Sequence, residues 1–387
     1  MKRIYIEGIG LVEGHFSGIG QYILGILKGL DKLVEDAKLN GEIYPEIRVI
    51  IPWDTVAKFN SYEFKHIRYK RFPLKFRYMA TLWHKGKMPP LDLFLGGGYY
   101  LFTRFVTMPL AYSKSGVIIY DLSYELYRQY ADEKNAIFLS NGTKKSIKQV
   151  SDIFTISESA KNEIIEFYKV NPSEVTVSTP AADQRYFYKR STKEIEKVKN
   201  QYGVSGNYIL ALSNLEPRKN LETLVDAYCN LPKKYRDNVG LLLVGVSAWK
   251  TDELFDKIMK LVDQGYNIMR PIGYVEDQDK PAIISGAKML VYPSHYEGFG
   301  MPPLEALACG VPVISSDNSS LPEVVGNIGK MLNCNDTKGF TKEIIYTLDN
   351  QDKISKKYKT DGPLQAQKFS WESSAQIYWN KFMEYSK

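Results

Sequence analysis

Short apolar runs alternate with amphipathic stretches along nearly the whole chain. KRIYIEGIG (Lys2 to Gly10) reads as a strand running into a glycine turn. Apolar residues then fall at 19, 23, 26, 27, 30, 33, 34 and 37, the spacing of a helix with one buried face. EIRVIIPW reads as a strand stopped by Pro52, and SGVIIYDLS and SDIFTIS as further strands, the second leading into the helix ESAKNEIIEFY. VNPSEVTVSTPAADQRYFYKR reads as a strand and an irregular connector, and STKEIEKVKNQYGVSGN as a charged crossing segment. The pattern then restarts: NYILALSNL, NVGLLLVGVS, NIMRPIGYV, KMLVYPS and VPVISSD are strand-like, with helical stretches between them. Strands alternating with helices predict an α/β architecture with parallel sheets. Two doubly wound domains of similar size are expected, residues 1–188 and 189–368, meeting near 185–200. Ligands of such sheets sit at the carboxyl ends of the strands, so two domains are expected to form a cleft between those ends.

Composition narrows the class. A chain of 387 residues exceeds one ordinary core, and 44% hydrophobic with 25% charged residues is a globular balance. The longest apolar runs fall far short of the roughly 20 residues of a spanning helix, and the start lacks a signal-peptide core, so a cytoplasmic location is expected. Cys229, Cys309 and Cys334 have neither metal-ligand nor disulfide-framework spacing, and the four histidines form no metal motif. No metal is expected.

The formal charge of +7 is a mild bias toward anionic partners. It concentrates in Phe59 to Pro90, where eight Lys or Arg face one acid, Glu63, with aromatics interleaved. That stretch is either a solvated loop or edge region, or a face resting peripherally on an anionic membrane surface. No zinc-finger, RNP-like or recognition-helix pattern supports nucleic acid as a partner.

Three segments can carry chemistry. GIGLVEGHFSGIGQY misses a dinucleotide fingerprint by one position, but Gly18 and Gly20 open a long helix, where backbone N–H groups attract anions. The competing reading is a loop that needs glycine for its turns. In ALSNLEPRKNLETLVDAY a buried strand ends at Ser213, and a short loop presents Arg218 and Lys219, a pair suited to a diphosphate. In HYEGFGMPPLEALACGVPVISSD, Glu297 sits on a glycine turn and Glu305 in the first turn of the helix after it. The two acids are not stacked on one helix face, which tells against a paired-acid hydrolase.

EGFGMPPLEALACGVPV resembles the Glu-x7-Glu signature of the retaining GT-B glycosyltransferases of family 4. SGIGQY is similar to that family's phosphate-facing glycine loop, and SNLEPRKNLETLVDAY to its donor-diphosphate segment. PIGYVED, which contains Val275, is similar to the strand end that meets the nucleotide base, and SSLPEVVGNIGKML to the segment after the last buried strand. The resemblance implies a GT-B fold of two Rossmann-like domains, with a last helix (369–387) crossing back to the N-terminal one. It implies that Glu297 lies by the donor sugar, with Gly298, Phe299 and Gly300 touching it, Met301 and Pro302 near the phosphates, and Glu305 on the ribose. Arg218 and Lys219 would stabilise the departing diphosphate, and Gly18 and Gly20 would cap it.

One position departs from the pattern: Tyr120 stands where relatives carry a histidine near the donor sugar's C6 hydroxyl, while Asp121 remains. A changed donor contact and plain packing are both open there. The resemblance implies a retaining, metal-independent hexosyltransferase that needs no cofactor beyond its nucleotide-sugar substrate. GDP-mannose is the expected donor, with UDP-hexose, UDP-HexNAc or dTDP-rhamnose as alternatives. The expected acceptor is a saccharide or lipid-linked saccharide in surface polysaccharide or glycolipid synthesis, held in the N-terminal domain near residues 59–90 and LFLGGGYY (Leu93 to Tyr100). An epimerase or hydrolase, or a nucleotide-sugar-binding protein without catalysis, are the readings of another class. Oligomeric state is not encoded in any recognisable motif.

Overall fold

The apolar runs pair into two sheets in which every neighbouring pair of strands is parallel. The computed structural model describes residues 2–12, 18–72, 74–75, 78, 82, 88–246, 251–270 and 275–386. Two compact units divide it: Met1–Pro180 with Ser370–Lys387, and Ala181–Phe369. The expected division at 188 falls on the connector inside the second unit.

The first unit holds β1 (Arg3–Glu7), β2 (Glu46–Pro52), β3 (Arg68–Phe72), β4 (Tyr99–Phe102), β5 (Lys114–Ile118), β6 (Asp152–Thr155) and β7 (Val175–Val177), in the order β3-β2-β1-β4-β5-β6-β7. The central strands are buried apart from exposed first residues in β1 and β5, and the four residues of β4 are all inside. Outer β3 is the exception, with exposed Arg68 and Arg71. It belongs to the basic aromatic stretch, and charged side chains on an outer strand discourage pairing with another chain. Of that stretch, residues 73, 76–77, 79–81 and 83–87 lie outside the described residues.

The second unit holds β8 (Asn207–Leu212), β9 (Val239–Val244), β10 (Ile268–Met269), β11 (Met289–Tyr292), β12 (Val313–Ser316) and β13 (Lys330–Leu332), ordered β10-β9-β8-β11-β12-β13. Both sheets thus repeat one plan: two strands are laid outward from a first strand, then the chain returns to its other side. The reversal falls between β1 and β4 in one sheet and between β8 and β11 in the other. Connections leave a crevice at the carboxyl ends there, where ligands of such sheets bind.

The last helix, Trp371–Ser386, packs in the first unit against the helix Gly18–Leu39. Gly25 and Gly29 make this possible, because a Cβ at either would overlap Trp371 or Ala375. The Tyr22 hydroxyl donates to the Ser178 carbonyl at 2.8 Å and lies 3.0 Å from the Tyr378 hydroxyl, fixing the helix pair to the end of β7. Among the described residues no helix is long and apolar enough to cross a membrane, and no group of three or more His, Cys, Asp or Glu could hold a metal ion.

Candidate active site

Two loops meet at the reversal point of the second sheet, because their strands are neighbours with Met289 paired to Ile209. The loop after β8 ends in a tight turn, Pro217–Lys219, closed by Asn220 at φ +53°. Asparagine tolerates that left-handed conformation better than most residues. Its side-chain amide also donates to the carbonyls of Pro293 and Cys334 at 3.0 and 2.7 Å, tying the turn to the loop after β11. That second loop runs from Pro293 to Gly300, whose φ of +111° only glycine adopts readily. The helix Met301–Ala308 follows, with prolines in its first turn, where no backbone N–H is lost from the helix.

The turn and the loop bring four charged side chains together. Lys219 Nζ donates to both Glu297 oxygens at 2.7 and 2.9 Å and to the Tyr292 hydroxyl at 3.2 Å. Arg218 donates to the Tyr296 carbonyl and to Glu216, each at 2.6 Å, and its Nη1 lies 3.4 Å from Glu297. Ser294 donates to Glu297 at 2.6 Å, and Ser319 accepts the Glu297 N–H at 2.9 Å. Ser320 donates to the carbonyls of Glu297 and Phe299. Glu216, Lys219 and Glu297 are buried. Burial alone would raise the Glu297 pKa, but Lys219 and Arg218 beside it outweigh that and bring it to about 2. Glu297 is therefore a fixed anion and a feeble base, with its lone pairs already engaged.

Glu305 differs. It is buried in the next helix, and no described residue hydrogen-bonds its carboxylate. Burial raises its pKa to about 7, against the pull of Lys280 and with a push from Asp277. A buried carboxylate with open acceptor sites is suited to hydroxyl donors.

The other expected residues are placed as follows. The Ser213 N–H pairs with the Val244 carbonyl at the end of β8. Val275 is buried, while residues 271–274 lie outside the described residues. Gly298 and Phe299 are buried, Met301 and Pro302 partly so, and the Phe299 ring packs on Phe369. In the first unit, Gly18 and Gly20 open their helix, and residues 13–17 lie outside the described residues. Tyr120 is buried just beyond β5 and packs edge-on to Tyr22, and its hydroxyl donates to the Thr103 carbonyl at 2.9 Å. Its one proton is thus used inside the fold. Asp121 accepts from the N–H and hydroxyl of Ser123, closing a local turn.

Sequence reasoning missed the partners. Glu216 orients Arg218, and Ser294, Ser319 and Ser320 brace the Glu297 loop. At the other reversal point, buried Glu7 accepts from the Thr103 N–H and hydroxyl and lies 3.4 Å from Arg104. The only signal for these was position at a strand end, which becomes informative once strand order is known.

The family model described as "Glycosyl transferases group 1" matches residues 192–363. The chain is 33% identical over 268 residues to "O-antigen chain mannosyltransferase B" of Escherichia coli, covering 69% of each protein. It is 32% identical over 231 residues to "Serotype-specific mannosyltransferase WbdA" of Escherichia coli, covering 58% of this chain but only 28% of that longer protein. Among solved structures, Anabaena Alr3699/HepE in complex with UDP aligns with a TM-score of 0.69 at 17% identity, over 99% of this chain and 100% of that one. At that identity the likeness speaks for the fold. The protein belongs to the glycosyl transferases group 1 family, as a glycosyltransferase with the two parallel-sheet domains of the GT-B fold.

Proposed function

We propose that the enzyme moves mannose from GDP-mannose to a hydroxyl of a saccharide or lipid-linked saccharide during surface polysaccharide synthesis, with retention at the anomeric carbon. The observation that carries this reading is the Arg218–Lys219 pair, Lys219 buried and Arg218 partly so, anchored on Glu216 and Glu297 at the reversal point of the second sheet. The donor's diphosphate meets two preorganised cations there, and they stabilise the charge that grows as it leaves. The same cations would serve in place of a divalent metal. Mannose as the sugar rests on the relatives, two of which are named mannosyltransferases.

Retention rests on the resemblance to retaining transferases, and the weak basicity of Glu297 is in keeping with it. Glu297, held near a pKa of 2, cannot usefully deprotonate an acceptor. The departing diphosphate oxygen takes that proton instead: the bond from C1 to the acceptor oxygen forms on the face where the bond from C1 to phosphate breaks. Glu297 lies by the sugar and anchors the loop whose Gly298 to Gly300 backbone holds it, and Glu305 accepts from the ribose hydroxyls. Peripheral contact with an anionic membrane is assigned to the basic stretch that includes exposed Arg68 and Arg71. Vesicle co-sedimentation that is lost on reversing those two charges would support that contact, and unchanged sedimentation would remove it.

Incubation with GDP-mannose and a soluble manno-oligosaccharide, with and without EDTA, tests the main reading by proton NMR. The expected products are GDP and an oligosaccharide one α-linked mannose longer, formed equally with EDTA. A β-linkage, free mannose alone, or transfer only from a UDP or dTDP sugar would overturn the corresponding part.

A further inference from the structure

The connector after β5 carries a second arrangement of aromatic and polar groups. The Phe105 N–H pairs with the Ile118 carbonyl at the end of β5, and its ring meets Tyr124 edge-on at 5.6 Å. The short helix Ser123–Leu126 therefore leans on the carboxyl ends of β4 and β5. Phe105 holds φ at +55°, uncommon for so bulky a side chain and a mark of a functional neighbourhood. The 3-10 turn Arg128–Tyr130 follows. Such a turn eclipses positions three apart, and the rings of Tyr127 and Tyr130 come out nearly parallel, 11° between planes and 6.4 Å between centres.

Arg128 lies between them in sequence. Its Nη2 donates to Glu125 at 2.9 Å and to the Ser140 hydroxyl at 3.4 Å. The Glu125 side chain is only 2% exposed, whereas that of Arg128 is 57% exposed. Tyr168 and Lys144 also approach Glu125, at 3.3 and 3.6 Å. Among the described residues, Nε and Nη1 of Arg128 have no hydrogen-bond partner. An exposed guanidinium held on one side by Glu125 and Ser140 thus sits on the same short turn as two parallel rings. A pyranose has an apolar C–H face and a rim of hydroxyls. Aromatic faces cover the first, and a planar fork of N–H donors fits adjacent hydroxyls. Asp132 and Glu133 follow directly and offset Lys134 and the nearby Lys144, so the charges there roughly balance.

We propose that Tyr127, Arg128 and Tyr130 form a subsite for the acceptor glycan, a neutral hexose chain, with Glu125 as the positioning residue that aims Arg128. This rests on the transferase reading above. The probe is a soluble α-linked mannotriose, observed by saturation-transfer NMR without donor and as acceptor in steady-state kinetics. Tyr127→Ala and Tyr130→Ala are expected to weaken binding and raise acceptor KM at least tenfold, leaving donor KM within twofold and thermal stability near wild type. Glu125→Gln is expected to raise acceptor KM in the wild-type background and to add nothing in Arg128→Gln, a pattern a merely structural role would not produce. Unchanged acceptor KM in both tyrosine variants overturns the subsite. Mannotriose bound through these residues but never extended would leave the subsite standing and sink the mannose-transfer reading. Neither binding nor extension by the wild-type protein would overturn both.

Discussion

Lys219 and Glu297 depend on each other because both are buried. Removing one partner leaves an uncompensated charge inside, at a cost of about 3–5 kcal/mol. Lys219→Met is therefore expected to lose stability on that scale in chemical denaturation, and Lys219→Met with Glu297→Gln to recover much of it. Activity should be lost in both, since recovering the fold does not restore the cation. Glu305 gives a pH signature. Its folded pKa of about 7 lies above the ordinary value of 4.5, so the folded state binds the proton more tightly than the unfolded state. The resulting stabilisation is complete below about pH 4.5 and lost as pH rises through 7. Glu305→Gln should flatten the fall in melting temperature between pH 5 and 8, and an unchanged slope would show that Glu305 does not titrate there. Glu297 has the opposite sign: its contribution is present above about pH 4.5 and fades as pH falls toward 2.

At the scale of elements, the site depends on two backbone kinks. A Cβ at Gly300 would meet Leu321 Cδ2 at 2.8 Å, and its φ of +111° is strained for any other residue. Gly300→Ala is expected to destabilise by about 1–3 kcal/mol and to raise donor KM, measured by denaturation and kinetics. The same scale explains what the sequence made legible. Buried central strands such as NYILAL and VGLLLV are continuous apolar runs and could be read directly. RYKRF could not, because as an outer strand it keeps its charged residues in water and is a strand only through its pairing with β2. β10 is the two-residue part of the strand-like NIMRPIGYV that pairs with β9. Arg218, Lys219, Glu297 and Glu305 were legible from strand-end position together with the family resemblance. Glu216, Ser294 and Glu7 were not, since their roles follow from which strand ends lie side by side.

At the scale of the molecule, the first unit is made from both ends of the chain. Its final helix covers Gly25, Gly29 and the Tyr22 hydroxyl, so truncation before Ser370 should expose that surface and leave the first unit unstable. Limited proteolysis should then cut within residues 1–180 while sparing the second unit, and equal resistance of both would contradict this. The account as a whole turns on one claim, that the second unit binds a nucleoside diphosphate through Arg218 and Lys219. Calorimetric titration of GDP into the wild-type protein and into Glu216→Gln with Arg218→Gln tests it most directly, because the paired change leaves no orphaned charge. The account predicts binding by the wild type and at least a tenfold loss in the folded double variant. GDP affinity unchanged by that substitution would contradict it.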